Sequence, residues 1–164
     1  MQSIEGSGVL KVVYEFIVAD RAESRLLTES SIDDLSYPYF RCFGLDPANL
    51  ASLYFIINDQ PYCDTYLQQF SVLHHDNKTC NSLVEMPKSL CESLAALPDQ
   101  KFSRVVDSWK EKEDLSLGHW HHEFKRNVLL NLVELSRECQ DRKQSLMLKV
   151  RVDQAASSSL PTLH

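Results

Sequence analysis

The run from Phe124 to Val152 constrains this chain most, because it reads as a helix that passes directly into a strand. Phe124, Val128, Leu132, Leu135 and Cys139 recur at helical spacing, and Leu129 and Val133 widen the stripe to that of a core-facing helix side. Asn127, Glu134, Arg137, Glu138 and Asp141 lie opposite, with Glu138 and Arg142 placed as a favourable i,i+4 pair. After Ser145 the period changes to 2. Leu146, Leu148, Val150 and Val152 then point one way and Met147, Lys149, Arg151 and Asp153 the other, the pattern of a half-buried strand.

The rest of the chain supplies partners for this unit. Leu10, Val12, Tyr14, Phe16 and Val18 alternate with Lys11, Val13, Glu15 and Ile17, which predicts a strand over 9–18 with one strongly apolar face. Asp20 and Glu23 have capping-box spacing and open a short helix reaching about Thr28. The polar run 29–36 reads as a loop, and 37–43 as an edge strand, because Pro38 cannot donate to a central ladder. Asp46-Pro47 starts a helix carrying Leu50, Leu53, Tyr54 and Ile57, and Asn58-Asp59 ends it. Residues 65–72 suggest a second short helix, 74–80 a loop and 81–86 a short strand. Pro87 opens a helix with Leu90, Leu94 and Leu97 in a stripe; Pro98-Asp99 breaks it and caps another with Phe102, Val105, Val106 and Trp109. The expected architecture is α/β (α+β): one domain over 1–164, a small mixed sheet packed against several helices, and flexible tails at 1–8 and 154–164.

Length and composition bound what such a domain does. At 164 residues the chain buries a real core, and 43% hydrophobic with 24% charged residues is ordinary for a globular protein. No apolar run is long enough to span a bilayer and the amino terminus lacks a signal-type segment, so the expectation is a cytoplasmic protein without a membrane contact. A net charge of −6 argues against direct nucleic-acid binding, which needs clustered Lys and Arg, and permits a basic protein partner. Five scattered cysteines without C-x-x-C read as reduced thiols rather than a disulfide framework.

Two histidine groups attract attention: His74-His75-Asp76 and His119-Trp120-His121-His122. Neither has a recognised metal spacing such as H-E-x-x-H, so surface histidines are the simpler reading and no metal or cofactor is expected. G-x-S-x-G is absent, and four glycines leave no phosphate-cradling loop. A small hydrolase with a His/Asp or Cys/His site, with or without zinc, is the alternative. The acidic residues have another use. Asp33, Asp34, Asp64, Asp76, Glu111, Glu113 and Asp114 fall in or near loops and helix ends, with Tyr37, Tyr62, Tyr66 and Trp120 close by in sequence. Acids interleaved with aromatics suit an interface in which rings anchor and charge steers a basic partner; solvated acids and core aromatics are the plainer account. The first seven acids named and Trp120 are the candidate partner-binding residues.

The more distinctive stretches, Tyr14–Asp20, Phe43–Pro47, Met86–Leu90, Trp109–Glu113 and Leu146–Val152, are short and mostly apolar or mostly charged. As a small, acidic, motif-poor α/β chain, the protein resembles in type the bacterial immunity proteins, including those that neutralise contact-dependent growth-inhibition toxins. The resemblance implies a non-enzymatic protein that binds a cognate toxin domain and occludes its active site. Many such toxins are nucleases, whose basic clefts suit an acidic inhibitor.

Overall fold

A computed structural model describes residues 11–43, 45, 47–111 and 122–153. The expected β9–18 strand is β1 (Lys11–Ala19), followed by a 3-10 turn (Arg21–Glu23) and α1 (Ser24–Glu29). Glu23 Oε1 reaches back to the Asp20 backbone N–H at 3.4 Å, part of the capping box that its spacing predicts. A further 3-10 turn (Ile32–Asp34) leads to β2 (Tyr39–Phe43) and α2 (Pro47–Ile57). Next come a 3-10 helix (Asp64–Gln69), β3 (Ser71–His75), β4 (Ser82–Glu85), α3 (Lys88–Ala95), α4 (Asp99–Glu111), α5 (His122–Arg142) and β5 (Ser145–Asp153). The expected cap Asp46 and both tails, 1–8 and 154–164, lie outside the described residues.

The five strands form one sheet in the order β2-β1-β5-β4-β3. Every pairing is antiparallel, where the sequence suggests a mixed sheet. A parallel strand is buried on both faces and reads as a continuous apolar run, whereas β5 is buried on both faces only over Leu146–Lys149 and alternates apolar with charged residues from Lys149 to Asp153. The helices α2 to α5 pack on one face. Phe16, Val18 and Leu148 of the sheet meet Leu50, Leu53, Leu90, Leu94, Val105, Trp109, Leu129 and Leu132 there in the main core. The other face is closed at one end by a smaller cluster of Ile17, Ala19, Leu27, Ile32, Leu83 and Met147. β1 therefore buries residues on both sides, not on one, because α1 and the Ile32 turn fold back over it.

Three segments differ from their sequence reading. Residues 74–80 are not all loop: His74 and His75 end the edge strand β3, whose alternation is broken by an irregularity in register between Val72 and His74. The polar run 29–36 hides Ile32, which is 1% exposed and plugs the smaller cluster. The segment 65–72 is likewise a 3-10 helix that runs into β3.

α5 is long, at 21 residues, and its end fixes where β5 begins. Gln144 N–H donates to Cys139 O at 2.9 Å and Lys143 N–H to Gln140 O at 3.3 Å, with Lys143 at φ 57°. This is a left-handed helix stop in which a lysine stands where glycine costs least. Arg137, read as a solvent-facing residue, donates to Ala95 O at 3.0 Å and Leu97 O at 3.2 Å and so closes the C-terminal end of α3. Glu138 and Arg142 form the i,i+4 pair that their spacing predicts, at 2.6 Å.

Leu132 is fully buried in the middle of α5. Leu132→Ala should lower stability by about 2–5 kcal/mol, measured as a fall in the denaturation midpoint at constant slope. All five cysteines are free, and burial pushes the Cys42, Cys91 and Cys139 thiols up to about 12. Because these pKa values are raised in the folded state, their contribution is complete below about pH 9 and is lost as pH climbs toward 12, where the unfolded chain ionises first. Denaturant melts at pH 8 and pH 10.5 should accordingly show the lower midpoint at the higher pH.

Candidate binding surface

The second face of the sheet, beyond the reach of the smaller cluster, carries charge. Alternation along β2 sends Phe40 and Cys42 toward the main core and leaves Tyr39, Arg41 and Phe43 on this side. Register places Arg41 opposite Glu15, and Lys149 opposite Glu15 on the other flank. Glu15 is 1% exposed, and its Oε2 accepts from Arg41 Nε at 2.8 Å and Arg151 Nη2 at 3.2 Å. Arg41 also reaches outward, Nη2 donating to Asp33 Oδ1 at 3.1 Å, where the Tyr39 hydroxyl donates as well at 3.3 Å. Lys149 Nζ donates to Ser30 O at 2.7 Å. Burial pulls the Lys149 pKa below the usual lysine range against the opposing pull of Glu15. The hydrogen bond from Arg41 holds the Asp33 carboxyl below the usual carboxylate range.

This network props two large rings at the surface. Tyr39 is 41% exposed and has the Arg41 guanidinium 5.5 Å from its centroid; Phe43 is 47% exposed with Lys11 Nζ at 5.4 Å. They lie on one face of the same edge strand, each held by a cation. Aromatic residues and arginine with restricted side chains lose little entropy on binding, so this end of the sheet has the make-up of an anchor patch.

The acids singled out from sequence are divided by the sheet. Asp33 and Asp34 share the 3-10 turn beside β2, and Asp33 is already committed to Arg41, Tyr39 and Ser31. Asp64 opens the 3-10 helix before β3, and Asp76 lies in the turn after it, both at the opposite edge. Asp76 is a turn-former: its Oδ1 accepts from the Lys78 backbone N–H at 2.9 Å, a bond that leads in lowering its pKa. Glu111 closes α4, and Glu113, Asp114 and Trp120 lie outside the described residues, as do His119 and His121. Of the tyrosines read beside the acids, Tyr66 is buried in an aromatic cluster, 4.3 Å from Tyr54 between centroids.

Three of the described candidate groups have identifiable partners. His75 Nδ1 is 2.8 Å from Ser82 Oγ across the β3–β4 hairpin, and His122 Nδ1 lies 3.8 Å from Asp107 Oδ1 between α5 and α4. Cys63, exposed, is held below the usual thiol range by hydrogen bonds with Thr65 rather than by a histidine. Among the described residues no three His, Cys, Asp or Glu side chains gather as a metal site, and no helix is long and apolar enough to cross a membrane. Comparison with protein-family models, with curated proteins and with solved structures returned no match.

Sequence reading missed Tyr39, Arg41 and Phe43 because a five-residue edge strand shows too little alternation to reveal its outer face. Glu15 within an apolar strand was the available signal, since a buried carboxylate requires a cation from a neighbouring strand. Glu15→Gln keeps the shape and removes the charge that both arginines bind. It should cost about 1.5–3 kcal/mol, the worth of hydrogen bonds to a charged group, measured by equilibrium unfolding at pH 7.

Proposed function

We propose that this protein is a bacterial immunity protein that binds a toxin domain through the β2 end of its sheet and occludes the toxin's active site. The observation that carries this reading is the pair of exposed, cation-braced rings, Tyr39 and Phe43, on the outer face of an edge strand. Rigid aromatics beside arginine are what most tight protein interfaces use as anchors. The net charge of −6 adds long-range attraction for a basic partner, such as a nuclease domain with a cationic cleft. Resemblance in type to immunity proteins supplies the class of partner, and the surface supplies the means of holding it.

The acids then have separable roles. Asp34, exposed beside the patch, steers the encounter, whereas Asp33 mainly orients Arg41 and Tyr39. Asp64 and Asp76, at the far edge, serve as controls.

The test starts from the gene neighbourhood and uses a toxin domain found there, with binding kinetics and a growth-rescue assay. Tyr39→Ala and Phe43→Ala should each speed dissociation by about 30-fold, corresponding to about 2 kcal/mol for an anchor residue. Asp34→Lys should slow association at low salt, and Asp64→Lys with Asp76→Lys should change it far less. Full rescue and an unchanged off-rate in the Tyr39→Ala, Phe43→Ala double variant would place the interface elsewhere. A gene neighbourhood without any toxin would count against the immunity role itself.

A further inference from the structure

A cavity of about 610 Å3 opens where the end of β4, the start of α3, the last turn of α5 and the start of β5 converge. That size lies within the range of small-molecule sites. Its floor is apolar: Met86, Cys91, Cys139 and Leu146 line it, and all four are buried. Its rim carries exposed Lys88 and Lys143, and among the described residues neither is ion-paired. Two carboxylates also line the space. Glu85 is already answered by Arg21 and by the Ser145 hydroxyl, which leaves Glu92 against two lysines. The lining lysines and carboxylates balance one another, and Arg21, paired with Glu85 from outside the lining, tips the site positive in a chain of net charge −6.

We propose that this cavity binds a small amphipathic organic anion, a carboxylate or sulfonate with an aliphatic or aromatic body. The body lies on Met86, Cys91, Cys139 and Leu146, and Lys88 and Lys143 take the anionic group. Two further observations fit such a ligand. Gln144 lines the same wall, and its Oε1 is buried without a hydrogen-bond partner, so a turn of the amide toward the cavity would give that oxygen a hydroxyl or N–H of the ligand to accept from. Lys143 is held at φ 57°, a backbone strain that a glycine would relieve, so a lysine side chain stands at the rim at a cost to the helix end. The site lies away from β2, across the sheet order, and it needs no toxin to be tested.

The probe is 8-anilinonaphthalene-1-sulfonate, titrated into the full chain at low ionic strength, with decanoate as competitor. Saturable one-to-one binding that decanoate displaces is expected. Lys88→Glu with Lys143→Glu should weaken it by about tenfold or more, because two attractions become repulsions. Lys88→Gln with Lys143→Gly, which suits the left-handed backbone, should also weaken it and guards against a folding defect. Location is read from methyl-labelled methionine resonances. Met86 on the cavity floor should shift on binding, and Met147, in the cluster on the other face of the sheet, should not. An absence of saturable binding, affinity unchanged in both lysine double variants, or a Met86 resonance that does not move would each overturn the proposal.

Discussion

The pairing of β1 with β5 is the constraint on which the rest of this structure depends. The two strands, each of nine residues, match from Lys11↔Asp153 to Ala19↔Ser145 and form the middle of the sheet. β2 adds outside β1, and the β3–β4 hairpin adds outside β5, so neither flank has a place until the central pair exists. That pair joins nearly the two ends of the described chain. Its loop-closure entropy is therefore high, and the compensation comes from burying both faces of the ladder at once. α5 makes this practical: it packs against α3 and β1, and its left-handed stop at Lys143 delivers the chain straight into β5 at Ser145.

The two faces of the central pair do different work. One presents Phe16, Val18, Leu146 and Leu148 to the helices, and removal of apolar surface from water is the driving force there. The other begins as a small apolar cluster and continues as an ionic network around Glu15. A carboxylate so buried is tolerable only because two guanidinium groups reach it, and both of these keep part of their surface in water. Arg41 then links the interior charge to Asp33 and stacks with Tyr39, so the order of the core extends to exposed groups. A surface with rings braced in this way is suited to binding, and the function proposed above rests on that property.

Much of the fold was legible because it is written in local physics. The period of 3.6 over 124–139 and its change to 2 after Ser145 appear as α5 and β5 with boundaries close to those read. Pro47, Pro87 and Asp99 mark helix starts, since proline suits a first turn and aspartate the positive end of a helix. Edge position for β2 followed from Pro38, whose carbonyl accepts from the Val18 N–H but which has no N–H to return. The candidate site was read less well. Interleaving of acids with aromatics along the sequence says nothing of whether they share a surface, and the sheet separates Asp33 and Asp34 from Asp64 and Asp76.

What the sequence determined alone was therefore the type and approximate extent of most elements, along with the α+β class, because hydrophobic period, caps and prolines act over a few neighbouring residues. Tertiary structure alone decided which strands pair, that all pair antiparallel, and that Lys149 and Glu15 lie side by side on a buried face. It also decided that Val72, read as helix, and His74, read as loop, belong to an edge strand. These outcomes depend on matching faces contributed by separate segments, from the β3–β4 hairpin neighbours to Lys11 and Asp153 near the two ends of the described chain. No single strand encodes its partner, its register or the charge it will meet there.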